Sequence, residues 1–232
     1  MNISSFFSDF LALFYPRYCD ICGGTQVKGE MYLCSHCMSE LIQTNFHNEK
    51  DNPVEMTFAG KVPIFRATAF YYFKKGNPLQ KIIHQLKYKG NTEIGMFLGS
   101  IFGLTLSENA DFSSIDVIIP IPLHPHKLRK RGYNQSEYIA LGIGKTMSKP
   151  VNTSSLIRTV DTTSQTLKSR YDRWENVSTI FQLKSSDALF GKHILLVDDI
   201  ITTGSTLEAA AQILLEIPDV KVSVACLGCA TH

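Results

Sequence analysis

The chain has 232 residues, 44% of them hydrophobic and 19% charged, with a formal net charge of +2. That is enough apolar material for one good core plus a small appendage, and it excludes a disordered chain. Charge this balanced supplies no global field for gathering nucleic acid or docking on a membrane.

The N-terminal stretch places Phe6, Phe10, Leu13 and Phe14 at helical spacing, an apolar face suited to docking on the protein itself. No Lys or Arg precedes Arg17, so a secretory signal is not expected. No apolar run is long enough to insert in a bilayer. The expectation is a cytoplasmic location with reduced thiols. Cys19-x-x-Cys22 and Cys34-x-x-Cys37 follow as two knuckles separated by eleven residues. Each can present two thiolates to one tetrahedral ion, and four thiolates close the sphere. This favours a structural zinc site over disulfides, which need secretion, and over a redox pair, which would not need two knuckles. His36, inside the second knuckle, is assigned to the surface. Residues 1–43 are read as an N-terminal helix and a zinc ribbon that draws its folding energy from the metal.

Residues 44–62, with Asn45, Asn48, Asn52, Pro53 and Gly60, show little periodicity and are read as a linker. The main domain, 63–232, opens with a strand over 66–73. Pro78 starts a helix to Tyr88 with apolar Leu79, Ile82, Ile83 and Leu86. A glycine-rich helical stretch spans 92–106. Next come a strand over 115–119, a helix over 136–147, and strands over 154–158 and 179–183. A fully apolar strand, 194–197, precedes a helix from Thr206, whose Leu207, Ala210, Ala211 and Leu214 recur at helical spacing before Pro218. The last strand covers 222–226. Cys226 and Cys229, three apart, are read as packing cysteines on opposite faces. Strand and helix alternate, so the fold class is α/β with a mainly parallel sheet. Ligands of such sheets bind beyond the carboxyl ends of the strands.

Three segments at that edge carry chemistry. In the first, Asp198 and Asp199 end the apolar strand, and Thr202, Thr203, Gly204, Ser205 and Thr206 lead into the helix. Unpartnered N–H groups at the helix start attract an anion, the hydroxyls add donors, and Gly204 lets the backbone wrap it. Carboxylates repel a bare phosphate, so the aspartates suit sugar hydroxyls or Mg²⁺. Being neighbours in a strand, they are expected to have different jobs. A sugar phosphate with free hydroxyls and a bound metal needs both parts. The second segment follows the strand ending at Ile119: a proline-stiffened loop concentrates Lys127, Arg129, Lys130 and Arg131 before a helix. Such cations stabilise a departing diphosphate. The third, 158–176, is long and polar, suited to a lid that brings Arg158, Gln165 or Lys168 to the leaving group.

The first segment resembles the signature of the type I phosphoribosyltransferases. The resemblance implies a ligand, 5-phosphoribosyl-1-diphosphate (PRPP), with the acidic pair on the ribose hydroxyls and the loop on the 5′-phosphate. Members acting on 6-oxopurines carry an aspartate two residues before the loop glycine; Thr202 stands there, which disfavours such acceptors. A wider set occurs in order: the four cysteines, Leu86-Lys87-Tyr88-x-Gly90, Pro120-x-Pro122-Leu123, Arg131-Gly132-Tyr133-Asn134-Gln135, then Arg158, Gln165, Arg173 and Asn176. Over nearly the full chain this set resembles the ComF family of competence-associated phosphoribosyltransferase-like proteins. It implies a zinc ribbon fused to a type I phosphoribosyltransferase fold and a part in uptake or handling of single-stranded DNA, alongside DNA-uptake proteins.

Two readings follow. One is an enzyme that binds PRPP with Mg²⁺, holds the diphosphate on Arg129, Lys130, Arg131 and Lys87, and transfers the ribosyl group to an unidentified nitrogen acceptor. The other is a non-catalytic single-stranded-DNA module that keeps the pocket, built on Lys74, Lys75, Lys81, Lys87 and Lys89 beside Tyr71, Tyr72, Phe73 and Tyr88.

Overall fold

Asparagine marks five of the helix starts among the described residues. Asn52, Asn77, Asn91, Asn109 and Asn134 each accept a backbone N–H from the first turn that follows. The computed structural model describes residues 16–160 and 180–230. In order it contains α1 (Ser35–Ser39), α2 (Pro53–Met56), β1 (Arg66–Phe73), α3 (Pro78–Tyr88), α4 (Thr92–Ser107) and α5 (Ala110–Ser113). Then follow β2 (Val117–Pro120), α6 (Pro125–Arg131), α7 (Gln135–Met147), β3 (Leu156–Arg158), β4 (Phe181–Leu183), β5 (His193–Ile201), α8 (Ser205–Leu215) and β6 (Lys221–Ala230). The apolar face expected before Arg17 lies outside the described residues.

The main sheet is parallel throughout, with strand order β1-β6-β5-β2, and β3 and β4 form a separate antiparallel pair. One face is covered by α3, α4 and α7, together with Cys19, Leu33, Cys37 and Leu41 of the ribbon. The other is covered by α8 and by Phe46, Val54, Phe58 and Val62. Those four residues correct the linker reading of 44–62, which is part of the core. Asn52 caps α2 and Pro53 takes its first position. Asn52 Nδ2 also donates to the Ala67 carbonyl of β1 at 2.9 Å, and buried Arg66 donates to Glu55 Oε1 at 2.6 Å and to Asp111. These polar ties replace the apolar periodicity that a sequence reading looks for.

The glycines of α4 also have a use. A Cβ on Gly99 would collide with the Ile139 carbonyl of α7, and one on Gly142 with the Met96 carbonyl of α4. The two helices pack backbone to backbone there, which only glycine allows.

Side-chain alternation slips along a line across three strands. Ala69↔Cys226 is followed in register by Tyr71↔Gly228, and Asp198↔Cys226 by Ile200↔Gly228, so Phe70, Leu227 and Asp199 are passed over. Phe70 and Tyr71 consequently share one core, and Cys226 and Cys229 both enter the other. The cysteines do pack, but not on opposite faces. This common kink bends the carboxyl ends of the strands where the acidic pair sits. At the opposite end, His193 lies between Ser114 (2.9 Å) and Ser223 (2.8 Å), and burial holds its imidazole below the ordinary value. No described helix is long and apolar enough to cross a membrane.

Candidate functional site

β5 runs through the acidic pair to Ile201, past the expected end of the strand. Its partner β2 stops earlier, because Pro120, opposite Val197, is the last paired residue. From Asp198 onward β5 therefore has β6 on one side and an open edge on the other. That edge is the floor of the site.

The two acids bond to different helices. Asp198 Oδ1 accepts from Ser136 Oγ at 2.7 Å, at the start of α7, and from the Asp199 amide at 2.8 Å. Asp199 is only 4% exposed. Its Oδ1 accepts from the Ile200 amide at 2.8 Å. Its Oδ2 receives no aligned hydrogen bond, and the Lys87 ammonium of α3 stands 2.6 Å away as an ion pair. Burial, and then the adjacent Asp199, raise the Asp198 carboxyl to about 7.

A cavity of about 690 Å³ lies over this floor. Asp198, Asp199 and Thr206 line it, as do Lys87, Tyr88, Lys89 and Gly90 from the end of α3. Lys127, Lys130 and Arg131 enter from α6, and Arg158 from β3. Ile121, Leu123, Tyr133 and Gln135 complete the wall. Arg129 is exposed and does not line it. Gln165 lies outside the described residues, as does the expected lid beyond Val160. Arg158 lies over the Phe181 ring, 5.4 Å from its centroid.

The basic segment is a helix rather than the expected loop. His124 caps α6 and Pro125 opens it, but none of its seven residues is buried, so no apolar pattern announced it. Arg131 donates to Gln135 Oε1 and sits 5.8 Å from the centroid of Tyr88. Tyr133 Oη donates to the Leu86 carbonyl at 2.7 Å, tying the end of α3 to this wall.

The hydroxyl-rich turn forms a smaller recess, about 50 Å³, lined by Thr202, Thr203, Gly204, Ser205 and Thr206. Asp198 and Thr206 line both spaces, so recess and cavity adjoin. Gly204 immediately precedes α8 at its cap position, with φ +75° and no side chain to cap it, which leaves the first N–H groups of an eleven-residue helix open to an anion. A Cβ on Gly204 would stand 2.6 Å from Thr57 Cγ2. Ser136 was not singled out in the sequence, and Tyr133 entered only within the Arg131–Gln135 motif; each meets its partner only through the fold.

At the ribbon, the Sγ atoms of Cys19, Cys22, Cys34 and Cys37 all lie within 4.8 Å of one another. Cys22 and Cys34 are 3.7 Å apart, close to the sulfur separation that a tetrahedron with ~2.3 Å Zn–S bonds imposes. Backbone N–H groups of Ile21, Gly24 and Cys37 donate to Cys19, Cys22 and Cys34 at 3.4–3.5 Å, as a thiolate requires. Burial of the Cys19 thiol is outweighed by such backbone donors, which lower it to about 7, whereas burial and the neighbouring sulfurs raise the Cys37 thiol. The cluster fits a zinc ion. His36 is exposed, its imidazole 3.7 Å from Glu40, and it is not part of the sulfur cluster.

Residues 151–231 match the phosphoribosyl transferase domain family. The chain is 32% identical over 153 residues to the DNA utilization protein YhgH of Shigella flexneri, a match covering 65% of this chain and 66% of that protein. It thus spans about two thirds of that relative's length. Competence protein F of Haemophilus influenzae is 28% identical over 210 residues, covering 88% of each chain. An adenine phosphoribosyltransferase structure superposes with a TM-score of 0.40 at 17% identity, over 66% of this chain and 75% of that one; a likeness that low decides nothing. The parallel sheet, its helices and the matched domain make this a type I phosphoribosyltransferase fold with a four-cysteine N-terminal unit.

Proposed function

Since the chain belongs to the ComF family of phosphoribosyltransferase-like proteins, we propose that its cavity binds PRPP with Mg²⁺ and transfers the ribosyl group to a nitrogen acceptor. The observation that carries this is the meeting of acids and cations around one space that also opens to the hydroxyl recess.

In this reading the 5′-phosphate sits in the recess, on the N–H groups of α8 and the hydroxyls of Thr203, Ser205 and Thr206. Asp198 and Asp199 take the ribose hydroxyls. They are also the residues that would hold Mg²⁺, largely through the oxygens of the substrate. The ion supplies charge neutralisation for the diphosphate. Lys87, Lys130, Arg131 and Arg158 supply the rest. As the C1–O bond breaks, diphosphate leaves with the electron pair, and the acceptor nitrogen forms the new bond to C1, its proton passing to the departing diphosphate or to water. Cations already in place stabilise that departing charge more than they stabilise the intact substrate. The described lining contains no histidine to act as base. The zinc ribbon serves as a structural element, its sphere closed to water.

Calorimetry with PRPP and Mg²⁺ tests the binding, and undiminished affinity in Asp198→Ala/Asp199→Ala would refute it. Diphosphate release against a panel of nitrogen acceptors tests turnover. The names of the relatives support a role in competence or DNA use.

A second reading, single-strand binding, keeps one supporting observation: Tyr88 is 71% exposed at the cavity mouth beside Lys89, Lys130 and Arg131. Tyr71 is buried and Tyr72 and Phe73 are half-buried, so β1 offers no stacking platform. Salt-sensitive oligonucleotide binding lost in Tyr88→Ala would support this reading; no binding at low salt would remove it.

A further inference from the structure

The turn that carries Lys87 is held from two sides. From α7's approach, Tyr133 Oη donates to the Leu86 carbonyl and accepts from the Gly90 amide at 3.1 Å. The ribbon holds it through Asp20, which lies inside the first knuckle between Cys19 and Cys22. Gln85 Nε2 donates to the Asp20 carbonyl oxygen. Asn91 Nδ2 donates to Asp20 Oδ2 at 3.0 Å and to Gln85 Oε1 at 2.9 Å, closing a ring of three residues. Asp20 is itself anchored, its amide donating to the Tyr32 carbonyl at 2.9 Å. Tyr32 rests on Phe97 of α4 with ring centroids 5.4 Å apart.

Gln85 and Asn91 bracket Lys87, Tyr88, Lys89 and Gly90, all four of which line the cavity. A lysine is a point charge on a flexible stem, so the backbone that carries it decides where its ammonium stands. Helix ends fray unless side chains tie them down, and Lys87 occupies the last turn of α3. Displacements of about 1 Å at such a group are enough to weaken a site built on charge placement.

We propose that Asp20 is a positioning residue for the cavity: through Gln85 and Asn91 it holds the end of α3 so that Lys87 stands opposite Asp199. The metal knuckle and the ligand site are coupled through that contact. The effect on ligand rests on the reading that the cavity takes PRPP; the placement of Lys87 does not.

The experiment measures acetylation of Lys87 by mass spectrometry, with exposed Lys75 as the internal control, in the full chain and in Asp20→Ala, Asp20→Asn and Gln85→Ala. Zinc content and melting temperature are followed in parallel. The Lys87 rate relative to Lys75 should rise about three- to tenfold in Asp20→Ala and Gln85→Ala, and PRPP affinity should fall by a similar factor, the size that one or two hydrogen bonds support. Asp20→Asn, which keeps an acceptor oxygen for Asn91, should stay near the unaltered protein. An unchanged Lys87 rate in both Asp20→Ala and Gln85→Ala overturns the inference. If Asp20→Ala sheds zinc, Gln85→Ala, which touches no thiol, decides alone. If the unaltered protein fails to bind PRPP, the functional reading above falls, while the Lys87 rates still judge this one.

Discussion

The ribbon and the cavity reach their chemistry by opposite routes. All four sulfurs of the ribbon site lie between Cys19 and Cys37, and two short knuckles suffice to gather them. The cavity instead collects Lys87, Arg131, Arg158, Asp199 and Thr206 from separate helices and strands. A local site of this kind would lean on a bound ion, because so short a segment buries little apolar surface of its own. An assembled site leans on the sheet, and survives or fails with the placement of each strand end.

Removing the metal strains that contrast hardest. Chelation, or Cys37→Ala, should withdraw on the order of 10 kcal/mol of metal-linked folding energy from the ribbon. Hydrogen exchange should then show residues 18–41 unprotected while β5 and β6 keep their protection; simultaneous loss in both would erase the distinction. Next in size, Asp198→Ala/Asp199→Ala should cost about a hundredfold or more in PRPP affinity, since charge-assisted hydrogen bonds are lost. Zinc content should not change, and calorimetry with metal analysis checks both. Gly204→Ala should cost about 1–2 kcal/mol for its left-handed backbone, seen as a fall of about 2–8 °C in melting temperature.

A pH series sharpens the comparison further. Asp198 is raised from 3.8 to about 7, so the folded state holds its proton more tightly than the unfolded chain. The linked stability is complete below about pH 4 and is lost as pH rises through about 7. Asp198→Asn should abolish that loss, so its melting temperature relative to the unaltered protein should climb from pH 5 to pH 8. A flat difference would mean the carboxyl is ionised throughout. The smallest effect belongs to Arg129→Ala, whose side chain lies outside the cavity: PRPP affinity should change less than about twofold, against about tenfold for Arg131→Ala.

How much was legible depended on distance along the chain. The knuckles and the strand–acids–turn–helix order stood out because each is contiguous. β1, α3 and α7 were readable from periodicity and start signals to within a residue or so. α6 was missed because a helix that buries nothing has no apolar stripe. Residues 44–62 were misread because Asn52 and Arg66 hold them with polar bonds. The slip that puts Cys226 and Cys229 in one core arises from a kink shared by three strands, which no single strand's alternation reveals. Ser136, a partner of Asp198 from 62 residues away, carried no local signal.

By itself the amino-acid order settled which thiols can share an ion and that two carboxyls precede a hydroxyl-bearing turn, because both arrangements follow from backbone geometry over a few consecutive residues. Only the tertiary structure decided that Asp199 faces Lys87, that Arg131 shares their cavity and Arg129 does not, and that Asp20 reaches the far end of α3. Side chains distant in the chain meet only once strand order, the common kink and helix packing have fixed where each element stops.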